Sequence, residues 1–134
     1  MKQALLDSDT VSFFFKGNTT VIQKIDEYLV SYGFVSISVI TYYEILNGLL
    51  FKDARAQLQR FNRFAELNQV LPVTMEIAVL AAGIYADLRR NNQMIGHNDV
   101  LIGATAIKYD MTLITNNVGH FTRIPGLSLD NWTV

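Results

Sequence analysis

The sequence predicts an α/β protein, a three-layer α/β/α sandwich built on a mostly parallel central sheet of about five strands. Three observations carry that expectation. Short apolar runs, too brief for helices, recur between longer segments whose apolar residues fall at helical spacing. Strands that alternate with helices imply crossover connections, which make neighbouring strands parallel and cover both faces of the sheet. No repeat, low-complexity tract or Pro/Gly-rich linker interrupts the 134 residues, so residues 1–134 are expected to form one domain.

The elements follow in order. Residues 3–7, at the start of "QALLDSDTV", read as a short buried strand, and Asp9 suits the cap of a helix through residue 15 that Gly17-Asn18 ends. "TTVIQKIDEYLVSY" (19–32) sets Val21, Ile22, Ile25 and Leu29 at helical spacing and stops at Gly33. "FVSIS" (34–38) is the second strand, and a helix starting near Ser38–Ile40 runs to Phe51. Asp53 opens a more polar helix, "DARAQLQRFNRFAEL", with Leu58, Phe61, Phe64 and Leu67 inward and Arg55, Arg60 and Arg63 outward. "QVLPV" (69–73) is a third strand. Thr74 then caps a long helix with Ile77, Leu80, Ala81, Ile84, Tyr85 and Leu88 on its apolar face. Arg89-Arg90 close that helix, where cations favour the helix dipole. Residues 98–109 form another helix, "MTLIT" (111–115) a fourth strand, and "LSLD" (127–130) a fifth after the Pro125-Gly126 turn.

Composition bounds the chemistry. Half the residues are hydrophobic and 17% charged, with 8 Phe and 6 Tyr to fill a core. There is no cysteine, which excludes disulfides, thiolate catalysis and Cys-based zinc sites and fits a cytoplasmic protein. No apolar stretch approaches the ~20 residues of a membrane span. The net charge of −1, from 11 basic and 12 acidic residues, gives no global attraction to nucleic acid. A polyanion must be met by a local basic patch or by metal ions held on acids.

Parallel sheets bind ligands beyond the carboxyl ends of their strands, and several acids fall there. Asp7 ends the first strand, Glu44 sits in an otherwise apolar helix after the second, and Asp99 opens the apolar helix before the fourth. Each has an ordinary structural explanation: a capping turn for Asp7 and Asp9, a helix N-terminus for Asp99, an ion pair with Arg55 or Arg60 for Glu44. Together they repel one another, and the usual remedy is a hard divalent cation, Mg²⁺ or Mn²⁺, which can drive phosphoryl displacement. His97 and His120 lack zinc-ligand spacing and read as surface or loop residues, with His97 near enough to Asp99 to reach a substrate. No serine has the G-x-S-x-G setting of a hydrolase. The Tyr42-Tyr43 pair reads as helix packing.

"LLDSD", "ITYYEILNG", "GHNDVLIGATAI" and "LITNNVGHFTRIPGLSLDNW" together resemble the PIN-domain ribonucleases, specifically the VapC-type toxins of bacterial toxin–antitoxin pairs. The resemblance spans essentially the whole chain, in order. It implies a metal-dependent endoribonuclease with Asp7, Glu44 and Asp99 as the core carboxylates. Asp9 matches the position two after the first acid, and Thr115 the hydroxyl beside it. Asn117 stands where many members carry a fourth Asp, which puts a second metal ion in doubt. The resemblance also implies an RNA substrate, a cognate antitoxin that blocks the acidic cleft, and a homodimer. Lys52, Arg55, Arg60 and Arg63 are candidates for an RNA-contacting rim, since phosphates attract Lys/Arg clusters. Two alternatives stand beside it. Asp7-Ser8-Asp9-Thr10-Val11 also fits the opening of haloacid-dehalogenase-like phosphatases, with Asp7 as nucleophile and Asp9 as general acid–base. A PIN-like module that only binds RNA or protein is the other, with Asn117 in its favour.

Overall fold

The computed structural model describes residues 2–134, arranged as β1 (Ala4–Leu6), α1 (Ser8–Phe15), α2 (Thr19–Tyr32), β2 (Ser36–Ser38), α3 (Val39–Phe51) and α4 (Arg55–Leu67), followed by β3 (Gln69–Leu71), α5 (Met75–Arg90), α6 (His97–Lys108), β4 (Thr112–Ile114), α7 (Val118–Phe121) and β5 (Ser128–Asp130). The five strands form one sheet in the order β3-β2-β1-β4-β5, and every pairing is parallel. The sheet is thus wholly parallel, because each strand reaches its neighbour through helix. The chain winds outward from β1 to β3 and then returns to the other side of β1 for β4 and β5. That reversal puts a crevice between the carboxyl ends of β1 and β4, the place where open parallel sheets bind ligands.

The strands are three residues each; β1 and β2 are wholly buried and β4 largely so, and their alternate side chains feed two cores. Leu5 and Leu113 point into one, with Ile77, Ala81 and Leu88 of α5, Ile102 of α6 and Phe121 of α7. Ala4, Leu6, Ile37 and Ile114 point into the other, with Val11 of α1, Val21, Ile25 and Tyr28 of α2, and Phe61 and Phe64 of α4. The result is the expected three layers. α6 lies so close to the segment after α7 that a Cβ on Gly103 would sit 2.7 Å from Ile124 Cδ1. Among the described residues, no helix is long and apolar enough to cross a membrane.

Three local expectations are corrected. Asp7, not Asp9, is the N-cap of α1: its carboxylate accepts from the Ser8 backbone N–H at 2.8 Å, and Asp9 falls in the first turn. Asp53 does not open α4. It adopts a left-handed conformation (φ 50°) that an Asp tolerates, and with Ala54 N–H donating to Leu49 O it ends α3. Leu67 is 61% exposed, whereas Phe61 and Phe64 are buried. At 3.6 residues per turn, a strict every-third-residue series drifts about 60° per step, so Leu67 lies half a turn from Leu58.

Candidate active site

The crevice between β1 and β4 is bounded by four acids. Asp7 follows β1 directly and is pinned there by its own backbone N–H donating to Ile114 O of β4 at 2.9 Å. Its two carboxylate oxygens are both engaged: Oδ1 by Ser8 N–H and Oδ2 by the Thr115 hydroxyl at 2.8 Å. Asp7 is only 6% exposed. Burial first, and the neighbouring charges of Asp9 and Asp99 with it, push its carboxyl up to about 7 against the pull of those two hydrogen bonds. The first turn of α1 brings Asp9, whose Oδ2 accepts from Asn116 N–H at 3.0 Å and lies 3.4 Å from Thr115 Oγ1. The buried Thr10 hydroxyl, donating to Ile114 O at 3.0 Å, fastens this turn to the sheet.

Ser38 caps α3 with its hydroxyl on Thr41 N–H, which fixes the helix so that Glu44 faces α1. The Ser8 hydroxyl donates to Glu44 Oε1 at 2.6 Å, and Asn98 Nδ2 lies 3.5 Å from Oε2. Among the described residues, no arginine pairs with Glu44. Asp99 sits in the first turn of α6, half-buried; burial and the charges of Glu44 and Asp9 raise its carboxyl, while His120 lowers it. The charge of Asp9 thus acts on both Asp7 and Asp99, and that of Glu44 on Asp99, which places the four acids in one region.

Asn117 follows β4 and belongs to the same rim. Its backbone N–H donates to Thr115 Oγ1 at 3.0 Å, and its amide nitrogen lies 3.0 Å from His120 Nδ1. His120 Nδ1 in turn stands 3.9 Å from Asp99 Oδ2. Both histidines are exposed, as expected, but the one beside Asp99 differs from the expectation. His97 opens α6 with its ring stacked on Tyr85, centroids 4.1 Å apart, while His120 is the one that meets Asp99. Of the Tyr42-Tyr43 pair, Tyr42 packs on Phe61 as expected, whereas Tyr43 is exposed.

The basic residues separate into two groups. Lys52 and Arg60 line a cleft that Glu44 also walls. Arg63 lines a neighbouring apolar groove and pairs with Glu66, and Arg55 pairs with Asp53, so neither reaches the acids.

The donor chemistry suits a hard cation: carboxylate oxygens, neutral hydroxyls and amides, no thiolate, and a carboxyl group whose ionisation its surroundings resist. Among the described residues, no three His, Asp or Glu side chains are grouped to hold an ion as oriented. Their oxygens are turned instead onto Ser8, Thr115 and Asn116.

The site is thus a cluster of acids at the point where an all-parallel sheet reverses its strand order. A model of the PIN domain matches residues 4–127. The chain is 30% identical to Ribonuclease VapC2 of Rickettsia felis over 79% of its own length and 80% of that protein. It is 27% identical to the tRNA(fMet)-specific endonuclease VapC of Salmonella typhimurium, covering 98% and 99% of the two chains. It is also similar to the crystal structure of DNA-bound VapBC from Salmonella typhimurium, with a TM-score of 0.88 at 26% identity over 98% of this chain and 99% of that one. The chain belongs to the PIN domain family, on its VapC branch. That membership sets aside the phosphatase alternative for Asp7 and Asp9.

Proposed function

We propose that this chain is a metal-dependent endoribonuclease, the toxin of a toxin–antitoxin pair, with RNA as substrate and a cognate antitoxin as partner. The observation that carries the proposal is the gathering of four acids at one edge of the sheet: Asp7, Asp9 and Glu44 held by Ser8, Thr115 and Asn116, and Asp99 beside His120. The similarity to VapC ribonucleases over most of both chains supports the same reading.

In this assignment Asp7 and Asp99 hold Mg²⁺ or Mn²⁺, with Glu44 joining directly or through water. When bound, the ion supplies Lewis acidity, which stabilises negative charge on the phosphate and acidifies water. The chain's own residues do the positioning. Thr115 and Ser8 N–H orient the two oxygens of Asp7, the Ser8 hydroxyl orients Glu44, and Asn116 N–H orients Asp9. Asn117 offers a neutral amide where an acid would add charge, so it favours one tightly held ion over two. Cleavage of structured RNA by the purified protein should stop in EDTA and return with either metal. Undiminished cleavage in EDTA, with contaminating nuclease removed, would sink the proposal.

A further inference from the structure

Beside the acids lies a second feature, a cleft of about 400 Å³ between the end of α1 and helices α3 and α4, rimmed by Ser12, Lys16, Gly48, Lys52, Gln57 and Arg60. We propose that this cleft is a nucleotide subsite, taking one unpaired base of the RNA with its phosphate next to the bond that is cut. The inference rests on the ribonuclease reading and extends it to how the substrate is held.

Four observations carry it. Glu44 forms part of the cleft wall, so whatever fills the cleft continues into the acid cluster. Lys16, Lys52 and Arg60 have no acidic partner among the described residues, whereas Lys2, Arg55, Arg63, Arg90 and Lys108 each pair with one. Three unneutralised cations along one cleft, in a chain of net charge −1, form a local attractor for phosphate. The apolar wall includes Phe15, with the Arg60 guanidinium 5.5 Å above its ring. Such a platform of aromatic ring and planar cation is what unpaired bases stack on.

The fourth observation is Gly48. It lies inside α3, where glycine weakens a helix relative to alanine. Its φ is not positive, and an added Cβ would meet nothing within 4 Å, so neither backbone nor packing requires it. What its missing side chain leaves is space in the cleft. Ser12 and Gln57, whose side chains make no hydrogen bond among the described residues, remain available for the edges of a base. A duplex keeps its bases stacked inside, which is why the occupant is an unpaired nucleotide. An acidic peptide would suit the three cations but would then run into Asp7, Glu44 and Asp99.

The test is binding of a fluorescein-labelled unpaired oligoribonucleotide to the full chain in EDTA, followed by anisotropy over a range of salt. The triple variant Lys16→Ala/Lys52→Ala/Arg60→Ala should bind at least tenfold more weakly. The slope of log K against log salt should fall by at least ~0.7, the value for one lost single-strand phosphate contact. Gly48→Leu, folded by its melting curve, should also weaken binding yet keep most of the slope. Arg55→Ala and Arg63→Ala should bind like the parent protein, and a duplex of the same sequence should bind less tightly than the single strand. Unchanged affinity and slope in the triple variant would overturn the subsite. So would equal binding of duplex and single strand, or substitutions that abolish antitoxin binding while RNA binding persists. Because no cleavage is read, failure of the nuclease reading shows separately, as intact RNA when the parent protein is given Mg²⁺.

Discussion

Asp7→Asn is expected to stabilise the metal-free protein at pH 8 by about 2–4 kcal/mol, at 1.36 kcal/mol for each tenfold change in proton affinity. At pH 4 it should change stability little. Burial and the charge of Asp9 raise the folded-state carboxyl from 3.8 to about 7. The native state then holds its proton more tightly than the unfolded chain, so rising pH costs the parent protein stability between about pH 4 and pH 7. Below that window both states are protonated and the cost vanishes; above it the full cost is present. Asparagine keeps the acceptor that Ser8 N–H needs. Its amide can donate to Thr115 Oγ1, leaving that hydroxyl free to donate to Asp9. Denaturant melts in EDTA across pH 4–8 check this. A variant less stable than the parent at pH 8 would mean that Asp7 is held chiefly as a helix cap.

Asp99→Asn is expected to lower single-turnover RNA cleavage by about a hundredfold or more while the protein stays folded. Losing an outer partner of a metal ligand already costs about 10–100-fold, and losing a ligand costs more. The fold should tolerate the change because Asp99 is half-buried at the rim, and its carboxyl is already disfavoured by Glu44 and Asp9. The opposing loss, an anion at the α6 N-terminus, is about 0.3–1 kcal/mol. Parent-level cleavage by a folded Asp99→Asn protein would remove Asp99 from the site.

Much of this architecture was legible in the sequence because helices and strands carry different apolar periods. The apolar set of α5, the stop at Gly33 and the cap at Thr74 are local signals, and they stand in the structure as read. Strand order is a property of long-range pairing, and three-residue strands carry no record of which neighbour they choose. Asp53 shows a different limit. An acidic residue before a helical pattern fits an N-terminus, but the same residue type also accepts the left-handed conformation that closes the preceding helix. In the site, the acids stood out because carboxylates beside apolar runs need compensation. His120 did not, because α7 is a four-residue helix without a periodic pattern, and only its turn carries the ring from Asn117 toward Asp99. Ser8 was hidden between two acids, although its hydroxyl is what joins α1 to Glu44. Lys16 lay in a different segment from the arginines of α4, and the packing of α1 against α3 and α4 is what gathers it with Lys52 and Arg60.

Calorimetric titration of Mn²⁺ into the metal-free protein at pH 8 tests most directly whether these acids form a metal centre. The parent protein should bind about one ion per chain, since Asn117 adds no charge for a second in a two-metal arrangement. The double variant Asp7→Asn/Asp99→Asn, folded by its melting curve, should bind none at the same concentrations. Equal binding by the parent and the double variant, or no binding by the parent, would contradict it.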